Sequence, residues 1–427
     1  MNKITIRKIG PIDDVTIDLN KINVIMGPQS SGKSTIAKII SYCTWVEKNV
    51  AVNQSLDAYS AKGYFQKKLE DFHKLKGYFK KNSEIIYQSD IIKINYSNQK
   101  LEIEWVDKYA YNRSKIAYIP SERNIVIMPE MEKVEIPNNN IRSFLFDWFD
   151  ARKFYSKEID LSVLGLGMSY YYNDESKENH ITEFKGNEKY DILLSNASSG
   201  LQSIVPMIVM IEYLTKSVYE NELDLSFEEK EKRDKININL FKKVVAEPHL
   251  GKTLIDLESL ENAVTEISEL LETANPSLHN LMGNYLSIKN RLQKTSNTQF
   301  IIEEPEQNLF PEAQRDLVYY LLGKCKDEAR DHRLTLTTHS PYILYALNNS
   351  MMGYLVKDKM SKLEQDDLKC KSAWIDPKLV SIWEIEEGKI KSIQEKDGLI
   401  GDNYFDASMK KVMDDFYAML NYYGDEE

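Results

Sequence analysis

The segment GPQSSGKST, Gly27 to Thr35, sets two glycines, a lysine and two hydroxyls in the order G-x-x-x-x-G-K-S. Glycines let the backbone curl into a nest of N–H groups around phosphate. Lys33 brings positive charge to the β- and γ-phosphates, and Ser34 offers a hydroxyl to Mg²⁺. The nucleotide-contacting residues expected here are Gly27, Pro28, Gln29, Ser30, Ser31, Gly32, Lys33, Ser34 and Thr35. A second stretch, FIIEEPEQNLF, ends an apolar run in Glu303 and Glu304. An acid closing a strand beside a phosphate loop can hold Mg²⁺, which is the role expected of Glu303. Glu304, pointing to the other side, is expected to orient or deprotonate the attacking water. Glu306 reads as shaping a loop or as simply solvated. RLTLTTHSPYIL, Arg333 to Leu344, is another apolar strand ending in Thr338 and His339, and a histidine there can bond the γ-phosphate.

A fourth element, SNASSGLQS, is a small-residue turn that opens an apolar helix, and helix N-termini favour anions. One phosphate loop is already present. Ser198, Ser199, Gly200 and Gln202 therefore predict a composite pocket, in which each copy of the chain offers its turn to the triphosphate held by the other.

The elements that must position these groups follow from periodicity. ITIRKI and VTIDL alternate like strands about a turn at Gly10-Pro11, and INVIM (Ile22 to Met26) is a third strand entering the phosphate loop. Behind the loop, Ile36, Ile39, Ile40 and Cys43 share one helical face. The organisation expected is an N-terminal lobe at 1–50, a helical and stranded insertion at 51–115, and a continuation with lid and small-residue turn at 116–215. A helical insertion at 216–295 and a C-terminal lobe at 296–427 follow. In the second insertion Leu260, Val264, Ile267, Leu270 and Leu271 recur at helical spacing, without the sustained heptads of a coiled-coil rod. Phe65, Leu69, Phe72 and Leu75 make Lys62 to Lys81 an amphipathic helix whose basic face is either solvated or a local patch for nucleic acid. MMGYLVK and SIWEIEEGKIKSI are expected to complete the sheet, and KKVMDDFYAML to form a final helix.

With 427 residues the chain can bury a large core, and its composition is that of a folded globular protein. A net charge of −11 argues against whole-surface affinity for nucleic acid. The apolar runs are too short to cross a bilayer, and the start of the chain lacks a signal-peptide core. Cys43, Cys325 and Cys370 are too scattered for a disulfide framework or zinc site. A cytoplasmic protein without membrane partners is expected.

Taken in order, GPQSSGKST, SSGLQS, FIIEEPEQNLFPEAQ and TTHSPYIL resemble the ABC-type ATPase heads that include SMC and RecF proteins. The Glu-Glu-Pro-Glu ending, with Leu309, Pro311 and Gln314, and the segment AYIPSER (Ala117 to Arg123) are similar to the OLD-like, AAA_15/AAA_21 branch found in bacterial anti-phage systems. The resemblance implies an α/β P-loop NTPase fold with a mixed sheet, antiparallel N-terminal strands and helical insertions. It implies ATP and Mg²⁺ as ligands and a head-to-tail homodimer. It also implies a separate effector such as a nuclease or toxin, and a phage-derived trigger. The alternative it carries is a RecF-like DNA-repair ATPase, with duplex DNA the less favoured partner. Glu303 stands where relatives often have aspartate, Phe310 replaces a frequent histidine, and the loop glutamine has no clear counterpart, leaving Glu122 and Arg123 as candidates. Asp366-Asp367 and Asp414-Asp415 are adjacent pairs that cannot share one strand face, so the Toprim nuclease of full-length relatives is not expected.

Overall fold

The computed structural model describes residues 2–423, apart from 129–130, 132, 186–187, 220–226, 252, 255–256, 272–275, 328 and 421. The opening alternation forms an antiparallel pair, β1 (Asn2–Ile9) and β2 (Ile12–Leu19), with Ile4 opposite Ile17 and Ile6 opposite Val15. β3 (Ile22–Met26) is buried throughout and enters the phosphate loop, behind which α1 (Lys33–Asn53) begins. After α2 (Tyr64–His73) come three antiparallel strands, β4 (Phe79–Gln88), β5 (Ile92–Ser97) and β6 (Lys100–Trp105), with β4 on the free side of β1. β7 (Ser114–Ile119) and α3 (Asn140–Ala151) follow. A separate antiparallel sheet then comprises β8 (Leu161–Ser162), β9 (Met168–Asn173), β10 (Glu178–Lys185) and β11 (Glu188–Leu193).

The apolar helix α4 (Ser199–Thr215) leads to α5 (Phe227–Phe241), α6 (Glu247–Leu250), α7 (Leu257–Leu271) and α8 (Pro276–Gln293). The chain returns through β12 (Asn297–Glu303), α9 (Pro311–Cys325), β13 (Arg333–Thr338), α10 (Pro341–Val356) and α11 (Lys362–Asp366). It finishes with β14 (Val380–Glu386), β15 (Lys389–Ser392) and α12 (Tyr404–Leu420). The main sheet runs β6-β5-β4-β1-β2-β15-β14-β3-β13-β12-β7. Its β14-β3-β13-β12-β7 half is parallel and its β6-β5-β4-β1-β2 half antiparallel. This α/β architecture is a P-loop NTPase fold of ABC-ATPase type.

Both faces of the sheet are covered, as the parallel half demands. Ile22, Val24 and Met26 of β3 pack into one core with α4, α9 and α10, while Ile25 faces another built on α1 and the N-terminal strands. Ala263 and Ile267 of α7 join the second core, whereas Val264 is exposed. The side chains of Leu260, Leu270 and Leu271 lie outside the described residues. Among the described residues no helix is long and apolar enough to cross a membrane. Cys43, Cys325 and Cys370 are buried free thiols.

Two expectations for local structure change. MMGYLVK is not a strand but the last turns of α10. Pro341 at the first helical position and the Ser340 cap start that helix, and Met351 continues the buried stripe of Ile343, Leu344 and Leu347. Lys62 to Lys81 is not one helix either. It breaks after His73 at Lys74, which adopts a left-handed φ of 57°, and continues into β4; His73 rather than Phe72 is the fully buried residue.

Gly353 sits where α10 meets Trp374, and a Cβ there would lie 1.9 Å from the indole nitrogen. Gly353→Ala should therefore destabilise by about 1–3 kcal/mol through overpacking. In α8 nothing lies within 4 Å of a Cβ built on Gly283. Gly283→Ala should stabilise by about 0.5–1 kcal/mol, the helix-propensity difference. Urea unfolding of the two variants reads the opposite signs.

Candidate functional site

Backbone register brings the motifs together. Thr338 pairs with Met26 and Glu303 pairs with Thr337, so the phosphate loop, the paired acids and His339 all leave the C-terminal ends of neighbouring parallel strands. That edge is where open α/β sheets bind ligands. Gly27 has φ 149°, and a Cβ there would meet the Ile385 carbonyl at 2.3 Å; Gly32 has φ 110°. Only glycine fits both positions. Ser30 is left-handed too, at φ 62°, and is exposed together with Gln29. Lys33 is 3 % exposed and donates to the carbonyls of Gly27 and Pro28 at 2.9 and 2.7 Å. Burial lowers its ammonium to about 8, against the opposing pull of Glu304 and Glu306.

This loop fits a triphosphate on its own evidence. Ser31 Oγ is buried without a hydrogen-bond partner, and a buried lysine is turned onto carbonyls inside the loop. Thr35 is buried and Ser34 half-buried at the start of α1. The Ser34 hydroxyl and the Glu303 carboxylate are the hard oxygen donors that suit Mg²⁺. Glu303 is almost fully buried and accepts a hydrogen bond from the Tyr118 hydroxyl; burial pushes its carboxyl above the usual range.

Glu304 leaves the strand with φ 45°, its N–H donating to Thr337 O at 3.0 Å. A left-handed turn, not strand alternation, is therefore what separates the two neighbouring acids. Glu304 Oε1 lies 2.9 Å from His339 Nε2, and this bond holds the Glu304 carboxyl below its ordinary range. Glu306 is not solvated. Its Oε1 accepts from the Thr338 hydroxyl at 2.8 Å and from the His339 backbone N–H, tying the end of β13 to the turn behind β12. Burial raises its carboxyl. Sequence spacing could suggest Glu306, which repeats an acid two residues beyond Glu304. Tyr118 had no such signal, because its relation to Glu303 exists only once β7 pairs with β12.

Arg123, one of the two candidates near AYIPSER, is completely buried. Its guanidinium donates to the carbonyls of Ser203, Glu303 and Glu304 at 3.0 Å each, of Pro305 at 3.3 Å and of Pro120 at 3.4 Å. It thus fastens α4 to the turn that carries the acids, and burial lowers it to about 10. The Ser198 hydroxyl caps α4. Gln202 turns its amide onto the carbonyls of Ser195 and Ala197, shaping the turn. A Cβ on Gly200 would meet Asn308 O at 3.0 Å, so this turn packs on the segment after the acids. No hydrogen bond among the described residues joins Ser198, Ser199 or Gly200 to the phosphate loop. Arg123→Met would strand several buried carbonyls and should cost about 3–5 kcal/mol, the range for breaking a buried charged network. Thermal unfolding checks this, and Arg123→Lys, with one nitrogen, should rescue little of it.

The model of the AAA_23 family, an AAA domain, matches residues 3–309. No curated protein matches the chain. Among solved structures the chain is similar to the SMC head domain from Thermotoga maritima, at 9% identity over 92% of this chain and 98% of that chain, with a TM-score of 0.38. It is also similar to the Smc head domain bound to the C-terminal domain of ScpA from Pyrococcus furiosus, at 10% identity over 97% and 99%, with a TM-score of 0.36. The recombination mediator protein RecF is a third, at 9% identity over 92% and 97%, with a TM-score of 0.27. The family match spans the phosphate loop, the small-residue turn and the acids after β12. The chain therefore belongs to the AAA_23 family of AAA domains.

Proposed function

We propose that this chain hydrolyses ATP as a switch, closing head to tail with a second copy on two Mg-ATP molecules and controlling a separate effector chain. The observation that carries this reading is the split of the chemistry within one chain. Lys33, Glu304 and His339 converge at the strand ends, while the turn at Ser198 to Gly200 lies against Asn308 with no hydrogen bond to its own phosphate loop among the described residues. A second copy supplies that turn, and contacts to the γ-phosphate make the closed dimer more favourable than the open state.

In the hydrolysis step the loop N–H groups and Lys33 neutralise the phosphates. Glu304, kept ionised by His339, accepts a proton from the water whose oxygen forms the new bond to γ-phosphorus as the bond to ADP breaks. Ser34 and Glu303 would hold Mg²⁺, which would supply charge neutralisation for the transferred phosphoryl group. Arg123 links the state of the acid turn to α4, so opening of the dimer and movement of the acids are mechanically joined. The resemblance of the Glu-Glu-Pro-Glu ending and AYIPSER to the OLD-like branch favours bacterial anti-phage defence as the setting, with a nuclease or toxin as effector and a phage product as trigger.

Glu304→Gln should lower phosphate release by about 10²- to 10⁴-fold, the range for losing a general base. It should also accumulate as an ATP-bound dimer in light scattering. Lys33→Ala should lose nucleotide binding in calorimetry and stay monomeric with ATP. A Glu304→Gln protein that turns over like the wild type would remove the catalytic assignment. Strong, salt-sensitive stimulation of hydrolysis by duplex DNA would favour a DNA-maintenance role instead.

A further inference from the structure

On the opposite stretch of α1 from the phosphate loop lies a cavity of about 470 Å³, closed on its other side by α5 and α8. Its lining holds five cationic side chains, Lys48, Arg113, Lys232, Arg233 and Lys289, together with Trp45 and several side-chain amides and, among the described residues, no carboxylate. The chain as a whole has 66 acids against 55 lysines and arginines, so this local excess runs against the overall charge. Most surface cations are solvated or paired. Lys48 is partly buried and makes no hydrogen bond or ion pair among the described residues. Its ammonium is lowered to about 7, first by burial and then by the neighbouring Arg113 and Lys115. The acid that acts on it, Asp147, is itself paired with Lys115 at 2.7 Å. Such a cluster is unfavourable by itself and becomes favourable around an anion.

Trp45 gives the anion a second feature. It is 41 % exposed, stands one helical turn before Lys48 on the same face of α1, and stacks on Tyr42 with ring centroids 6.1 Å apart. An exposed indole beside clustered cations suits a planar ring bearing phosphate, since base–aromatic stacking and phosphate neutralisation then act together. The volume lies within the range of small-ligand sites, roughly 300–1,000 Å³.

We propose that this cavity is a second nucleotide site, distinct from the phosphate loop. It would take one nucleotide, phosphate on Lys48, Arg113 and the α5 and α8 cations and base on Trp45. The same chemistry is presented by a free nucleotide and by one residue of a single strand, and the test separates these. The site does not depend on hydrolysis at the phosphate loop.

The full chain is first saturated with a non-hydrolysable ATP analogue and Mg²⁺, so that the phosphate loop is filled. It is then titrated with adenosine 5′-monophosphate and, separately, with a 5′-phosphorylated single-stranded hexanucleotide, following tryptophan emission and heat. Either probe should bind, with a change in emission that Trp45→Phe removes. Affinity should fall at least tenfold in the double variant Lys232→Glu, Arg233→Glu, whose two positions are exposed and tolerate the change in the fold, and likewise in Lys48→Met. Binding of the mononucleotide identifies a free nucleotide as the ligand; binding of the hexanucleotide alone identifies a strand. The proposal is overturned if neither probe binds. It is equally overturned if the double variant, with unchanged thermal unfolding, binds as tightly as the wild type.

Discussion

The chemistry of this molecule depends on one backbone constraint, the hydrogen-bonded register of β3, β13 and β12. Parallel pairing sets Met26 against Thr338 and Thr337 against Glu303, so three chain segments distant in sequence end in one row. Parallel strands need long crossovers, and the crossovers here are the helices that cover both faces. A slip of one residue in any pair would turn Glu303 or the core residues of β3 to the wrong side. Strand register therefore brings the segments together, and the turns at Gly27 to Gly32 and at Glu304 aim their groups.

Beyond that row, buried polar groups set the geometry. Glu306 ties the turn behind β12 to the backbone of His339, and His339 in turn bonds Glu304. Arg123 distributes five donor contacts over α4, the segment before it and the acid turn. A guanidinium is suited to this task because its planar fork offers several donors in fixed directions and stays charged when buried. Removing either residue leaves oxygens or N–H groups without partners, which makes the acid turn and α4 behave as one unit.

The two ends of α1 differ in what they face. Its N-terminus carries Lys33 under the phosphate loop, while its later turns carry Trp45 and Lys48 into the cationic cavity against α5 and α8. The helices between α4 and β12 are thus more than a spacer. They complete a second concave surface on the helix that begins at the nucleotide loop.

Much of this was present in the sequence by itself. The pattern G-x-x-x-x-G-K-S requires glycines at Gly27 and Gly32 whatever surrounds them, and the alternation of β1, β2 and β3 requires strands, because both are local demands of backbone sterics and periodicity. The acid pair and the histidine were legible as strand ends for the same reason. Tertiary structure decided the rest. MMGYLVK reads as a strand, and it is helical because the helix started at Ser340 and Pro341 runs on through Met351 to Val356. Glu306 became a buried strut and Arg123 a five-way fastener only because β12, β13 and α4 meet there. Tyr118 found Glu303 only across paired strands, and five cations dispersed from Lys48 to Lys289 became one cavity only after α5 and α8 closed over α1. Local sterics can be read along the chain; which buried charge finds which partner depends on contacts between residues far apart in it.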